Sequence, residues 1–116
     1  MITPEYIKKL VEFKTGVNDI SIKSNKIDVV NYRYITIALC KEFVPKKLRI
    51  HFDLAVLLGY IEHSNVSYGY KTFKNSLKRR HYKYYKEVYD DCKKDIESKI
   101  YQNKINNLTV EYDLIK

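Results

Sequence analysis

The chain has 116 residues, of which 45% are hydrophobic and 31% charged, and its formal net charge is +8. This length suits one small domain, and the even spread of Ile, Leu, Val and Tyr argues against intrinsic disorder. No apolar run reaches the ~18–20 residues of a membrane span, and no signal peptide is visible. We therefore expect a cytoplasmic protein without membrane association, in which Cys40 and Cys92 are reduced packing residues.

The positive charge is concentrated in one segment. Residues 63–86 hold seven basic residues and no acidic one, whereas residues 87–116 hold five basic and seven acidic residues. Such a segment is typical of a surface that binds a polyanion, either nucleic acid or anionic lipid. It is equally compatible with a solvated helix face in a protein whose genome favours Lys, Asn, Ile and Tyr. Charge alone leaves both interpretations open.

The first predicted helix has clear signals at both ends. Thr3 supplies a capping hydroxyl directly before Pro4, which is favoured at the first helical position. Gly16 can end the helix because glycine accepts the left-handed conformation at little steric cost. Residues 17–25 are polar with interleaved isoleucines and are predicted to form an anchored loop.

The second predicted helix runs from about Lys26 to Phe43. Ser24 or Asn25 is the expected cap, and Pro45 is expected to stop the helix. Helical spacing predicts one apolar face for this segment, formed by Ile27, Val30, Tyr34, Ile37 and Ala38.

The next segment combines an ambiguous stretch with a short helix. Apolar and basic residues alternate over residues 46–52, which suits a short strand or an extended loop. Asp53 is then a candidate cap for a third helix over residues 54–58, which Gly59 would end.

A long helical pattern follows. Its apolar stripe steps by three and four residues through Val66, Tyr70, Phe73, Leu77, His81, Tyr84, Val88 and Cys92. Periodicity does not decide between one helix of nearly forty residues and two helices joined near residues 79–90. In the tail, residues 105–116, apolar and polar residues alternate over residues 108–114, and the tail is predicted to be a short strand or an arm.

A short helix, a turn and a second helix with polar first residues is the layout of a helix-turn-helix. In this interpretation the helix that begins near His63 enters the DNA major groove, and Glu62, Ser64 and Asn65 lie with His63 at its tip. Basic residues further along would contact phosphates, namely Lys71, Lys74, Lys78, Arg79 and Arg80.

The sequence resembles a known family over residues 7–77. Residues 33–43 (RYITIALCKEF) are similar to the second-helix pattern of the C-terminal DNA-binding domain of the bacterial replication initiator DnaA, R followed by Q-x-A-M-x-L-x-K-E-L. Residues 54–59 (LAVLLG) resemble the family's I-G-x-x-F-G, and residues 61–66 (IEHSNV) resemble its signature R-D-H-T-T-V. The resemblance implies an all-α, Trp-repressor-like helix-turn-helix that binds double-stranded DNA.

The family's functional residues carry over to individual positions of this chain. The resemblance implies that Arg33 enters the minor groove beside the site, and that Glu62, His63, Ser64 and Asn65 contact bases and phosphates. One strong contact is missing, because Ile61 stands where the family has Arg. The family's ATPase domain is also missing, since the chain has neither room nor a phosphate-binding loop for it. Such an isolated domain suits a phage or mobile element and would act in the host cytoplasm, in replication or transcription.

The predicted organisation is a helix-turn-helix domain over residues 1–80, a helical extension over 81–104 and the tail over 105–116. No nucleophile–base pair or metal-ligand spacing is visible, so we expect no enzymatic activity, no metal and no cofactor.

Two other functions remain open at this stage. The first is a protein–protein adaptor or virion component that retains the fold, with residues 84–104 as a surface for a protein partner or a second copy. The second is a single-strand nucleic-acid binder that stacks bases on its tyrosines, among them Tyr82, Tyr84 and Tyr85.

Overall fold

The computed structural model describes the backbone of residues 2–115 and the side chains of residues 2–108. Within these residues the chain is all-helical, which confirms the expected all-α class. The α-helices are α1 (Pro4–Thr15), α2 (Ile27–Phe43), α3 (His51–Leu57), α4 (Ser64–Ser76) and α5 (Lys83–Ile115). Two short 3-10 turns, Lys46–Leu48 and Arg80–Tyr82, lie in the α2–α3 and α4–α5 connections.

Helix α1 begins and ends where its sequence signals predict. The Oγ1 of Thr3 accepts a hydrogen bond of 3.2 Å from the backbone N–H of Tyr6. Gly16 has a φ of +74° and donates its N–H to the carbonyl of Glu12. Both boundary predictions are confirmed.

Helix α2 is the centre of the bundle and packs against α1, α4 and α5. Every residue from Asn31 to Cys40 is buried except Tyr34, which is half-buried. The prediction of a single apolar face was therefore wrong, and Ile27, assigned to that face, is 71% exposed. Residues 31–40 are surrounded by neighbouring helices, so this part of α2 is apolar on all sides and has no solvent-exposed face.

The predicted cap of α2 was also wrong. The helix begins after Lys26 without a side-chain cap. The hydroxyl of Ser24 instead accepts a hydrogen bond of 3.2 Å from the N–H of Lys26, one residue before the helix. The predicted stop is confirmed, since α2 ends at Phe43, two residues before Pro45.

Residues 46–52 form no strand, so that alternative was wrong. They hold the first 3-10 turn and the start of α3, and within the described chain there is no strand with which they could pair. Asp53 lies in the first turn of α3 rather than at its cap. Gly59, with a φ of +76°, follows the helix end as predicted.

The long pattern is divided between two helices, α4 and α5. The chain leaves the α-helical path between Ser76 and Lys83, and the apolar stripe changes register there. His81, predicted to continue the stripe, is exposed, whereas Tyr82 is buried and donates a hydrogen bond of 2.7 Å to Asn31 Oδ1. The core continues beyond residue 80 with Val88, Cys92 and Ile96.

Helix α5 has 33 residues, which corresponds to a length of about 50 Å. Its first half packs against α1 and α2, whereas residues 101–108 are all exposed. The prediction of a short strand over residues 105–116 was wrong, since the helix continues to Ile115 and Lys116 lies outside the described residues. None of the described helices has the length and apolar composition needed to cross a membrane.

Candidate nucleic-acid interface

Helices α3 and α4 are joined by a turn over residues 58–63 and pack against each other. Gly59 provides the left-handed residue of the turn, and a Cβ there would collide with the backbone carbonyl of Ser21. The turn is therefore pressed against the loop that precedes α2. Four fully buried side chains anchor this unit to the core, namely Leu54, Leu58, Val66 and Phe73.

Helix α4 has two different faces. Its buried face contacts α2, and Gly69 permits this close approach, because a Cβ there would lie 2.7 Å from Cδ1 of Tyr34. The opposite side is solvent-exposed and contains no acidic residue. We call it the outer face of α4; its members are Ser64, Asn65, Tyr68, Lys71, Lys74 and Asn75.

The predicted tip residues lie together at the start of α4. Glu62, His63, Ser64 and Asn65 are all exposed, and His63 occupies the N-cap position without a capping side-chain bond. The hydroxyl of Ser64 lies 3.5 Å from a carboxylate oxygen of Glu62. The tip therefore presents donors and acceptors directly to solvent.

The predicted phosphate-binding cations are all exposed. They are Lys71, Lys74, Lys78, Arg79 and Arg80. Among the residues with described side chains, none of these five forms an ion pair, whereas acidic residues of α5 pair with Lys14 and Lys86. The end of α4 and the following turn therefore carry cations that have no ion-pair partner among the described side chains.

Arg33 does not lie on this surface. It is 8% exposed, and its guanidinium donates hydrogen bonds to the carbonyls of Ile20 and Ile22 at 2.6 Å and of Ser24 at 3.3 Å. The guanidinium carbon also lies 5.8 Å from the centroid of the Tyr60 ring. Arg33 thus anchors the loop before α2, and the predicted minor-groove contact gains no support from this geometry.

Tyr68 is one of the tyrosines that the sequence offers for base stacking, but it was not predicted to belong to the surface that approaches duplex DNA. It is 62% exposed in the middle of the outer face of α4. Its ring contacts that of Tyr34 edge to face, with centroids 6.4 Å apart and an interplanar angle of 77°. The available signal was its spacing, since Tyr68 follows Ser64 by four residues and Asn65 by three, and so shares their face.

A polar network behind the outer face links α2, α3 and α4. Lys41 Nζ lies 3.0 Å from His51 Nε2, and Ser67 Oγ lies 3.2 Å from His51 Nδ1. Because an ammonium group only donates, Nε2 accepts, and a neutral ring carries its proton on Nδ1. Burial lowers the pKa of His51, and the nearby charges of Lys41, His63 and Arg49 lower it further.

Most of the tyrosines considered for base stacking are hydrogen-bonded within the bundle. The Tyr32 and Tyr84 hydroxyls lie 2.7 Å apart, Tyr85 donates to Asp28, and Tyr89 donates to Glu42. The rings of Tyr32, Tyr84 and Tyr85 also contact one another edge to face. This arrangement resembles packing between α2 and α5 more than an open stacking platform.

A surface groove of about 400 Å³ lies between the loop before α2 and the start of α4. Arg33, Tyr60 and Asn65 contribute to its walls. The hydroxyl of Tyr60 is buried without a hydrogen-bond partner in the described chain, and burial raises the pKa of Tyr60 to about 12. The groove therefore adjoins the tip of α4.

The described residues contain no group of three His, Cys, Asp or Glu side chains able to hold a metal ion. Cys40 and Cys92 are free and buried, and burial raises the pKa of each thiol to about 12. Both are therefore poor nucleophiles and behave as packing residues, as the sequence predicts.

Comparisons of the chain with models of protein families, with curated proteins and with solved structures give no match.

Proposed function

We propose that the protein binds double-stranded DNA through a helix-turn-helix formed by α3, the 58–63 turn and α4. The observation that carries the proposal is the outer face of α4. It combines exposed hydrogen-bonding side chains at the start of the helix with unpaired cations further along. In a recognition helix the N-terminal residues contact base edges, and basic residues contact the phosphates that fix the position of the helix.

The order of residues along α4 suits entry into a major groove by its first turn. Glu62, His63, Ser64 and Asn65 then approach base edges, where carboxylate, hydroxyl and amide groups pair with complementary donors and acceptors. Lys71 and Lys74 follow on the same helix, and Lys78 lies two residues beyond its end. These three lysines neutralise phosphates of the flanking backbone. A fold of the Trp-repressor type, and a role in replication or transcription, are the finer parts of this proposal, and the resemblance to DnaA favours both.

Arg33 has an indirect part in this proposal. Its three hydrogen bonds fix the loop before α2, and the carbonyl of Ser21 in that loop lies against Gly59 of the turn. Arg33 therefore helps to hold the turn, and with it the first turn of α4, in position.

The test is salt-titrated binding to a random-sequence DNA duplex, measured by fluorescence anisotropy. We expect the triple variant Lys71→Ala/Lys74→Ala/Lys78→Ala to bind more weakly at low salt. The slope of log affinity against log salt is expected to become less steep by up to about 2.7. Each phosphate contact that is lost lowers the number of counterions released on binding by about 0.9.

The matched control removes the same net charge elsewhere. Lys9, Lys94 and Lys104 are exposed on α1 and α5, and the triple alanine variant of these residues is expected to bind like the wild type. Equal losses in both triple variants, or no binding to duplex by the wild-type chain, would contradict the proposal.

A protein–protein adaptor is the second candidate, and a specific feature favours it. Ile50, Phe52 and Val56 are exposed apolar residues at α3, and Phe52 and Val56 line a groove of about 420 Å³ against the start of α1. Exposed apolar patches of this kind occur at protein interfaces. Light scattering and a pull-down after nuclease treatment distinguish the candidates: a complex that survives nuclease and is lost in Phe52→Ser favours the adaptor.

A further inference from the structure

The amino acids on α4 restrict which bases its outer face can recognise. Arginine and lysine are the commonest readers of guanine, and carboxylates accept from cytosine. Helix α4 contains neither Arg nor Asp nor Glu, and its two lysines, Lys71 and Lys74, lie at least six residues after Asn65. Near its N-terminal end it presents Asn65 and Tyr68 instead, an amide that pairs with adenine N6 and N7 and an aromatic ring able to pack on a thymine methyl.

The two side chains are spaced to act together. They are three residues apart on one face of α4, so their Cβ atoms lie about 5–6 Å from each other. Successive base pairs of a duplex are about 3.4 Å apart. Asn65 and Tyr68 can therefore reach the same base pair or two adjacent ones.

Both side chains are prepared for such a contact. The edge-to-face contact with Tyr34 limits the orientations of the Tyr68 ring, although most of that ring is exposed. The side-chain amide of Asn65 is exposed and forms no hydrogen bond with any described residue, so its N–H donors and its carbonyl acceptor remain available. A ring that is already oriented loses little conformational entropy on binding.

We propose that Asn65 and Tyr68 recognise A·T base pairs in the major groove, with Asn65 on the adenine edge and Tyr68 on the thymine methyl group. This inference rests on the proposed function and names its specificity. Glu62, the acidic member of the tip, precedes α4, and we expect it to contact a neighbouring base pair.

The experiment begins with selection of duplexes from a random library by the wild-type protein. Enrichment of A·T at one position or two adjacent positions is expected. At these positions thymine is then replaced by deoxyuracil, which removes only the C5 methyl group. Wild-type affinity is expected to fall about three- to fivefold, as for loss of one buried methyl contact.

Variants assign the effect to the two residues. Tyr68→Ala is expected to bind the thymine and uracil duplexes equally, whereas Tyr68→Phe retains the ring and the preference. Replacing adenine by 7-deazaadenine removes N7 and is expected to weaken binding of the wild type but not of Asn65→Ala. Tyr101→Ala, at an exposed tyrosine of α5, is the control and is expected to match the wild type.

The possible failures are distinguishable. Duplex binding without A·T enrichment, or a thymine preference that persists in Tyr68→Ala, overturns the inference and leaves DNA binding intact. Absence of any duplex binding by the folded wild-type chain overturns the proposed function itself, and the inference with it.

Discussion

Two regions of this chain hold cations that differ in their partners. In the first, which we call the paired region, Lys8 contacts Glu12 and Asp19, Lys14 contacts Asp95, and the buried Arg33 contacts three carbonyls. On the outer face of α4 the lysines are exposed, and none forms an ion pair with any described residue. A cation that is already bound contributes to the fold, whereas an unpaired one remains available for an external anion.

The largest expected effect lies in the paired region, at Arg33. Arg33→Met keeps a long apolar stem but removes the donors to three backbone carbonyls, of which that of the fully buried Ile20 would be left without a partner. We expect the free energy of unfolding to fall by about 3–5 kcal/mol, measured by urea denaturation. Arg79→Met, at an exposed position, is the control and should change it by less than about 0.5 kcal/mol. Similar losses in both variants would contradict the distinction between the regions.

Gly59 connects the two regions, because it holds the turn before α4 against the anchored loop. Alanine there must adopt a φ of +76° and also meets the carbonyl of Ser21, so we expect a loss of about 2–4 kcal/mol. Gly16 has a similar φ of +74° but open space around it, so Gly16→Ala isolates the backbone strain and should cost about 1–2 kcal/mol. Thermal or urea unfolding measures both, and equal losses would show that the contact with Ser21 is unimportant.

Much of the helical framework could be predicted from local signals. The start of α1 at Thr3, the end of α2 before Pro45 and the turn at Gly59 each depend on a few residues close in sequence. Tertiary packing decided the rest. The alternation in residues 46–52 is ambiguous because a strand needs a partner, and burial of α2 on all sides comes from three neighbouring helices.

For the candidate site, too, local sequence signals predicted some features, and tertiary packing decided others. The tip residues and basic residues of α4 were identified from order and spacing alone, and the structure places them on an exposed surface. The environment of Arg33 could not be predicted, since its partners are backbone carbonyls thirteen or fewer residues away that carry no signature in the sequence. Tyr68 was considered only for base stacking and not assigned to the duplex-reading face, because an aromatic residue on a helix is more often part of a core.

A smaller, pH-dependent effect is expected at the network between the regions. Because the folded protein lowers the pKa of His51 by burial and by nearby cations, the unfolded chain binds more protons below its own pKa of about 6.5. The contribution of His51 to stability is therefore complete above about pH 6.5 and decreases as the pH falls through the lowered value. Urea denaturation from pH 8 to pH 5 should show this decrease, and His51→Gln should reduce it.

The control for this prediction is another histidine. His81 is exposed, and His81→Gln should retain the pH dependence of the wild type. If the profiles of His51→Gln and the wild type coincide, the network of Lys41, His51 and Ser67 does not contribute to folding in this pH range.

The smallest effect on stability is expected for the exposed lysines on α4 and directly after its end. Lys71, Lys74 and Lys78 have no ion pair to lose among the described residues, so replacing all three by Ala should change the free energy of unfolding by less than about 0.5 kcal/mol per site. At low salt the sign should favour the variant, because residues 63–86 carry seven positive charges and no negative one, and their mutual repulsion decreases. Urea denaturation at low and high salt measures both effects. A clear loss of stability would mean that these lysines contribute to the fold as the paired cations do. The weaker DNA binding expected of the same variant could then be explained by partial unfolding.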